Sequence, residues 1–324
     1  MRLMLVVNTS ASSVTPRARV VVQKALSSGH DVVTKETSRR GHAARLAQGA
    51  AADGFEAVVV LGGDGTLNEA ANGLAGTPTV LGALPGGSTN VFARTVGMSA
   101  DPVEATEQLL AALAKRSFKR VGLGRANGRY FVLHAGVGFD AAVVATVERA
   151  GSLKRYTGPA AFVLAALSCW AKGYDRRTPG FSVSAGALEV PGAYFAICLN
   201  SDPYTFLGNR PLHVAPWTHL GGPLGMVVFD KLTLSTLLPV VAAALDGGVR
   251  SGGRPHLLTG GNLEGAMVTG LRPVPYQLDG EYAGEAESIE LSWSKEQLLL
   301  VVPEGRPGAG GNGRRPVVGQ GSRA

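Results

Sequence analysis

Two short segments combine acids with glycines at spacings that can do chemistry. The first is Gly62-Gly63-Asp64-Gly65-Thr66, within Val58–Leu74, where an apolar run stops and helix-forming sequence begins. Glycines at such a corner let backbone N–H groups approach a phosphate without an intervening Cβ. Thr66 is placed to cap the following helix with its hydroxyl, and Glu69, three residues on, would complete a capping box. An acid among phosphate-facing glycines suits the handling of a metal or of a substrate hydroxyl. Asp is also a common turn former, but two glycines ahead of an Asp-Gly pair exceed what a plain corner requires. The second segment is Leu278–Gly284, LDGEYAG, where one glycine separates Asp279 from Glu281. On a strand the two carboxylates would share a face; in a turn they would converge on one ion. Either arrangement suits Mg²⁺-assisted phosphoryl transfer, with one acid near the metal and the other near the attacking hydroxyl. A hairpin turn with a solvated Glu would leave the same trace.

The elements that must hold these segments follow from the pattern of apolar residues. Strands at Leu3–Val7, Asp31–Lys35, Ala57–Leu61 and Thr79–Leu84 alternate with helices at Arg17–Leu26, Gly41–Ala52, Thr66–Ala75 and Pro102–Lys115. Ala57–Leu61 is continuously apolar, as a strand buried on both faces should be. The alternation predicts a doubly wound α/β domain over residues 1–120 with a mostly parallel sheet, and ligands in such sheets bind beyond the carboxyl ends of the strands. From about Val121 short strands become frequent, at Tyr130–Ala135, Phe181–Ser184, Tyr194–Leu199, Met226–Phe229, Met267–Thr269 and Ser288–Leu291, with apolar helices near 159–173 and 231–246. This predicts a mainly antiparallel β domain over 121–296, with the active site in the cleft between the two domains. A strand at 297–303 is free to return to the first sheet. Residues 305–324 read as a disordered Gly/Arg-rich tail.

Other chemistries find little support. No Cys/His spacing suggests zinc and no Gly-x-Ser-x-Gly elbow suggests an acyl hydrolase. His134, on an apolar strand, reads as a core histidine, and His42 as a support of the nucleotide loop or a solvated side chain. Cys169 and Cys198 sit in apolar runs and cannot build a disulfide framework, which suits a reduced, cytoplasmic protein. The net charge is +7, of which the tail's Arg306, Arg314, Arg315 and Arg323 supply +4, so the body is too weakly basic to suggest nucleic acid. Met1–Ser10 reads as a first strand rather than a signal peptide. No apolar stretch reaches the roughly 18 residues that a membrane span needs.

Several motifs, in order, resemble the diacylglycerol kinase catalytic-domain family, which includes bacterial lipid kinases and sphingosine kinases. GGDGT followed by Asn68-Glu69…Asn72-Gly73-Leu74 carries the resemblance, with Val6-Val7-Asn8, Thr37 with His42-Ala43, LPGGSTNVFAR at Leu84–Arg94, GVGFDA at Gly136–Ala141 and LDGEYAG. The resemblance implies an ATP site at Asn8, Thr37, Gly62, Gly63, Asp64, Gly65, Thr66, Leu67, Asn68, Glu69, Gly87, Ser88 and Asn90. It implies catalytic acids at Asp279, Glu281 and Asp64. Departures also stand out. Thr9-Ser10-Ala11 replaces the usual phosphate turn, Ser88 a threonine, and Val91 and Gly122 replace aspartates. His219-Leu220-Gly221-Gly222 stands where bacterial members often carry an acidic loop that holds magnesium. Mg²⁺ is therefore expected to enter with ATP, with no metal held by the protein alone.

The sequence thus leads to a lipid kinase that moves the γ-phosphoryl group of Mg·ATP to a lipid hydroxyl, diacylglycerol first, at the inner face of the cell membrane. A homodimer is compatible with this reading. Two rivals remain: an NAD-kinase-like enzyme with a soluble substrate, and a non-catalytic ATP-binding relative.

Overall fold

The computed structural model of the chain describes residues 1–149, 166–250 and 254–303, apart from the Lys172 side chain. Six apolar or small residues, Ala57–Gly62, form β3, and all six are buried. Such a strand needs a neighbour at each edge and cover on both faces. β1 (Arg2–Val7) pairs with it in parallel on one side and β4 (Val80–Pro85) on the other, and β2 (Asp31–Glu36) extends the sheet beyond β1. The helices are α1 (Pro16–Ser27), α2 (His42–Ala52), α3 (Asp64–Leu74), the five-residue α4 (Val91–Thr95) and α5 (Pro102–Ala114). α1 packs on α5 and α2 on α3, and the two pairs reach the sheet through α5 on β4 and α3 on β3 and β4. Local signals start the helices: Thr15 caps α1 ahead of Pro16, and Asp101 caps α5 ahead of Pro102.

The rest is largely antiparallel. β5 (Phe118–Ala126), β6 (Arg129–Phe131) and β7 (His134–Gly138) lead into α6 (Phe139–Arg149). After a π-helical turn at Cys169–Gly173 come β8 (Phe181–Ala185), β9 (Leu188–Ala193), β10 (Phe195–Leu199), and the small hairpin β11 (Thr205–Leu207) and β12 (Arg210–Leu212). β13 (Leu224–Phe229), α7 (Leu234–Leu245), β14 (Leu257–Leu263), β15 (Gly265–Leu278) and β16 (Glu281–Val301) complete the chain. The main sheet runs β14-β13-β10-β7-β15-β16-β4-β3-β1-β2. β16 joins its two regions: it pairs antiparallel with β15 and β5, and its end lies parallel to β4, Leu299 opposite Val80. This mixed α/β architecture, a parallel sheet joined to antiparallel strands, is the fold class read from the sequence.

Several boundaries moved for physical reasons. The strand expected at Tyr130–Ala135 is broken between β6 and β7, because the amides of Val132, Leu133 and His134 turn toward the Asp279 carboxylate. The short strands expected at Met267–Thr269 and Ser288–Leu291 are pieces of β15 and β16. The helix expected at 231–246 is α7. Of the one expected at 159–173, residues 159–165 lie outside the described residues, as does the 305–324 tail. Among the described residues no helix is long and apolar enough to cross a bilayer.

Candidate active site

Two glycine turns meet at the carboxyl ends of adjacent strands. β3 ends at Gly62-Gly63 and β4 runs into Gly86-Gly87, and the Gly86 amide donates to the Gly62 carbonyl at 2.9 Å. A Cβ on Gly86 would lie 2.8 Å from the Gly62 Cα, and one on Gly87 2.9 Å from the Gly63 Cα. Only glycine permits this approach, which brings the two backbone turns together with no side chain between them. Asn90, itself in the left-handed region, closes the second turn. Its Oδ1 accepts from the Gly86 and Gly87 amides, and its Nδ2 donates to the Gly87 carbonyl. Ser88 lies exposed at the tip. Asn8, at the end of β1, donates to the Thr66 hydroxyl at 2.8 Å, and the Thr37 amide donates to the Val7 carbonyl. The ends of β1, β2, β3 and β4 thus converge on one rim.

The capping box expected at the start of α3 does not form. Gly63 is the N-cap, with no side-chain cap, and the Thr66 hydroxyl is held by Asn8. Glu69 instead reaches the neighbouring helix, where its oxygens accept from the amides of Gly41 and Ala43 at 2.6 and 3.0 Å. Gly41, the N-cap of α2, has no side chain to cap the helix, so the free amides at this end take the carboxylate of the packed helix. Leu67, expected along the nucleotide, has its side chain wholly buried in the core.

Asp64 does not present a free carboxylate to the corner. Its two oxygens accept from the Val91 and Phe92 amides at 3.0 and 2.8 Å, capping α4 from outside. Loss of solvent raises its pKa, opposed by these hydrogen bonds and by Arg94. At Val91, where the resemblance led to an aspartate being expected, Asp64 engages the backbone amide instead. At Gly122 the Trp293 indole fills the space that a side chain would need, so no carboxylate fits there.

Asp279 and Glu281 do not converge. Asp279 opens the β15–β16 turn at φ +51 and is buried. It accepts four hydrogen bonds of 2.6 to 2.9 Å, from the amides of Val132, Leu133 and His134 and from Asn68 Nδ2 on α3. Burial raises its pKa to about 6 in spite of those donors. Asn68, expected on the nucleotide, binds Asp279 in the β15–β16 turn and the Tyr130 carbonyl. Glu281 points to the glycine corner. A Cβ on Gly65 would collide with its Oε1, while its Oε2 accepts from Arg40 at 2.9 Å and Arg129 at 3.1 Å. A buried chain supports the turn from below: the Gly280 amide donates to Gln277 Oε1, Gln277 Nε2 donates to Asp140, and the Tyr204 hydroxyl donates to the other Asp140 oxygen.

Arg40, Arg129 and Gln277 escaped the sequence reading. The arginines lie 241 and 152 positions from Glu281, and nothing local marks them. Gln277 could have been suspected as a polar residue just before LDGE on an apolar strand. Beside the site, a cavity of about 440 Å³ is lined by Tyr282, which follows Glu281, together with Val274, Pro275, Ala142, Cys169 and Arg149.

Gly65 gives a direct check on this geometry. Gly65→Ala should leave the fold intact or slightly stabilise it, since alanine favours a helix by about 1 kcal/mol over glycine. Its Cβ would displace the Glu281 carboxylate. A fall in kcat of tenfold or more with an unchanged or higher Tm is the expected pair of results.

Comparison with known proteins fits this geometry. The sequence family described as diacylglycerol kinase catalytic domain matches residues 2–125. A diacylglycerol kinase of Bacillus subtilis (strain 168) is 34% identical over 271 residues, covering 82% of this chain and 84% of the relative. The chain belongs to the diacylglycerol kinase catalytic-domain family. A second member, named "Probable lipid kinase YegS-like", from Pseudomonas aeruginosa (strain UCBPP-PA14), is 33% identical over 293 residues, 90% of each chain. The crystal structure of a diacylglycerol kinase from Bacillus anthracis str. Sterne shares the fold at a TM-score of 0.68, with 18% identity, covering 95% of this chain and 98% of that one. The matched residues 2–125 include the corner from Gly62 to Thr66. The chain is thus of lipid-kinase type.

Proposed function

We propose that this chain transfers the γ-phosphoryl group of Mg·ATP to a hydroxyl of a lipid, with diacylglycerol as acceptor and phosphatidic acid as product. The observation that carries this reading is the position of Glu281, whose carboxylate lies against the Gly65 corner while the next residue, Tyr282, lines the cavity. One acid thus stands between a phosphate-binding corner and a pocket with an apolar wall. The triphosphate would lie along the Gly62-Gly63 and Gly86-Gly87 turns, whose back-to-back glycines fit phosphate oxygens. Asn8, Thr37 and Ser88 stand on the same rim.

Bound Mg·ATP supplies the transferable phosphoryl group and neutralises much of its charge. Glu281 accepts the proton of the lipid hydroxyl as that oxygen bonds to the γ-phosphorus and the bond from that phosphorus to the departing ADP breaks. Arg40 and Arg129 hold the Glu281 carboxylate in place, and Asp279 fixes the turn that carries it. Asp64 keeps α4, and with it the second glycine turn, in position. Most of the rate comes from this positioning rather than from covalent chemistry. The donor set does not fit a metal held by the protein at His219–Gly222: the loop has no carboxylate, and Gly222 packs on the His219 ring. Among the described residues no three acids, histidines or cysteines are grouped to hold one.

The test is transfer from γ-labelled ATP across acceptors: diacylglycerol, other glycerolipids and a sphingoid base in mixed micelles, and NAD without detergent. Label is expected in diacylglycerol. Labelled NAD would overturn the lipid assignment, and ATP binding with no acceptor labelled would identify a non-catalytic relative.

A further inference from the structure

Helix α7 is apolar on its outer side as well as its inner one. From Leu234 to Leu245 it has no charged residue. Val240 and Ala244 are buried, and Leu237 packs on the clusters beneath. Leu234, Leu238 and Val241, spaced four and three apart, face solvent with 39, 60 and 42% of their surface exposed. That is a second stripe on the side where a surface helix is ordinarily polar. The segment packed beside the helix is apolar on its outside as well. Leu237 packs on the cluster that contains Ala166, Cys169 and Trp170, and Leu167 in that neighbouring segment is 51% exposed. Exposed apolar side chains on two packed elements mark a surface that meets something.

The charges around it indicate what. Lys231 stands just ahead of α7 and is exposed. The Arg254 guanidinium donates to the Pro239 carbonyl within the helix at 3.1 Å. Arg176 lies over the Trp170 ring at 4.1 Å, and Arg177 beside it is exposed. The acids of the same rim are Asp175, Asp230 and Asp246. Asp175 is engaged by Arg272 and Asp230 by His256. An apolar ridge with a rim of excess cation matches a bilayer of anionic lipids, in which acyl chains lie beneath a layer of phosphates.

We propose that α7 docks on an anionic lipid bilayer, with Leu234, Leu238 and Val241 among the acyl chains and Lys231, Arg254 and Arg176 at the phosphates. The proposal rests on the lipid-substrate reading for what it achieves. The turn at Cys169–Gly173 lines the cavity through Cys169 and Gly173 and also packs beside α7. Docking through α7 therefore brings the cavity next to the membrane that holds the substrate.

The test is co-sedimentation of the full chain with sucrose-loaded vesicles, without ATP, in phosphatidylcholine alone and with added phosphatidylglycerol. Leu234→Ser with Leu238→Ser is expected to lower partitioning on the order of a hundredfold, roughly tenfold for each leucine withdrawn from the acyl region. Lys231→Glu with Arg254→Glu should weaken binding to the anionic vesicles and leave the neutral ones unchanged. A polarity-sensitive dye on Leu238→Cys should shift to the blue on anionic vesicles. Unchanged partitioning of the serine variant, or no dye shift, overturns the proposal. So does a dimer in solution that the serine variant converts to monomer while vesicle binding stays the same. Because binding is read without turnover, a chain that phosphorylates no lipid would sink the proposed function and still answer this question.

Discussion

Glu281→Gln is expected to lower kcat by about 10²–10⁴-fold, the usual worth of a positioned general base, while ATP affinity changes little. The substitution isolates basicity from geometry. Glutamine has the same length, and its carbonyl oxygen can still accept from Arg40 and Arg129, so the side chain should remain over Gly65. What it loses is the ability to take a proton. Arg40 is well exposed, so its ion pair adds little to stability, and the variant should unfold at nearly the wild-type midpoint. Glu281→Asp should fall between the two, retaining basicity on a shorter stem. Single-turnover kinetics with separately measured ATP binding separate the chemical step from nucleotide affinity. A Glu281→Gln enzyme with near-normal kcat would remove Glu281 as the base and return the assignment to Asp64, whose carboxylate would then have to leave the α4 amides.

The parallel half of the fold was legible because β1, β3 and β4 are short, continuous and apolar, and α1 and α5 carry their own start signals at Thr15-Pro16 and Asp101-Pro102. The lengths of β15 and β16 were not legible. Their exposed stretches, such as Arg272 and Glu285–Glu287, read as loops, and only pairing with a partner across the sheet makes them strands. The break between β6 and β7 was invisible for a related reason. Val132 and Leu133 are apolar and read as strand, but their amides bind a carboxylate some 145 residues away.

The site divides the same way. Motifs found the right corners, since glycine and acid spacings are local properties. They could not tell which atom each acid faces. Glu69 looked like a cap for its own helix and caps α2; Asp64 looked like a phosphate-side acid and holds α4; Asp279 looked like a partner of Glu281 and is saturated by other donors. Spacing places each carboxylate among local groups, whereas the fold supplies amides from a distant helix end or strand break. A buried amide without an acceptor costs about 1–3 kcal/mol. That is enough to capture the nearest acid.

Asp279→Ala is expected to be the most destabilising of these substitutions, on the order of 5 kcal/mol, a large share of the 5–15 kcal/mol that stabilises a typical domain. Removing the carboxylate leaves three backbone amides and the Asn68 amide without their acceptor in a buried site. Alanine is also poorly suited to the left-handed backbone at φ +51, whereas asparagine tolerates it. Asp279→Asn should therefore cost less, about 1–3 kcal/mol, because its oxygen still serves some of the donors while its NH₂ group opposes another. The pH dependence identifies the group. Asp279 is raised from 3.8 to about 6 on folding, so the folded protein holds its proton more tightly than the unfolded chain. Its contribution to stability is full below pH 3.8 and is lost as pH rises through 6. The loss amounts to about 3 kcal/mol at 1.36 kcal/mol per unit. Urea midpoints from pH 4 to pH 7 should fall in the wild type by this component and lack it in Asp279→Asn, which cannot titrate. Both variants should also lose activity, because the turn that aims Glu281 at Gly65 is anchored by this carboxylate. If Asp279→Ala unfolds within 1 kcal/mol of wild type, the four hydrogen bonds do not hold the two halves of the site together, and Glu281 must be aimed by the Gln277–Asp140–Tyr204 chain alone.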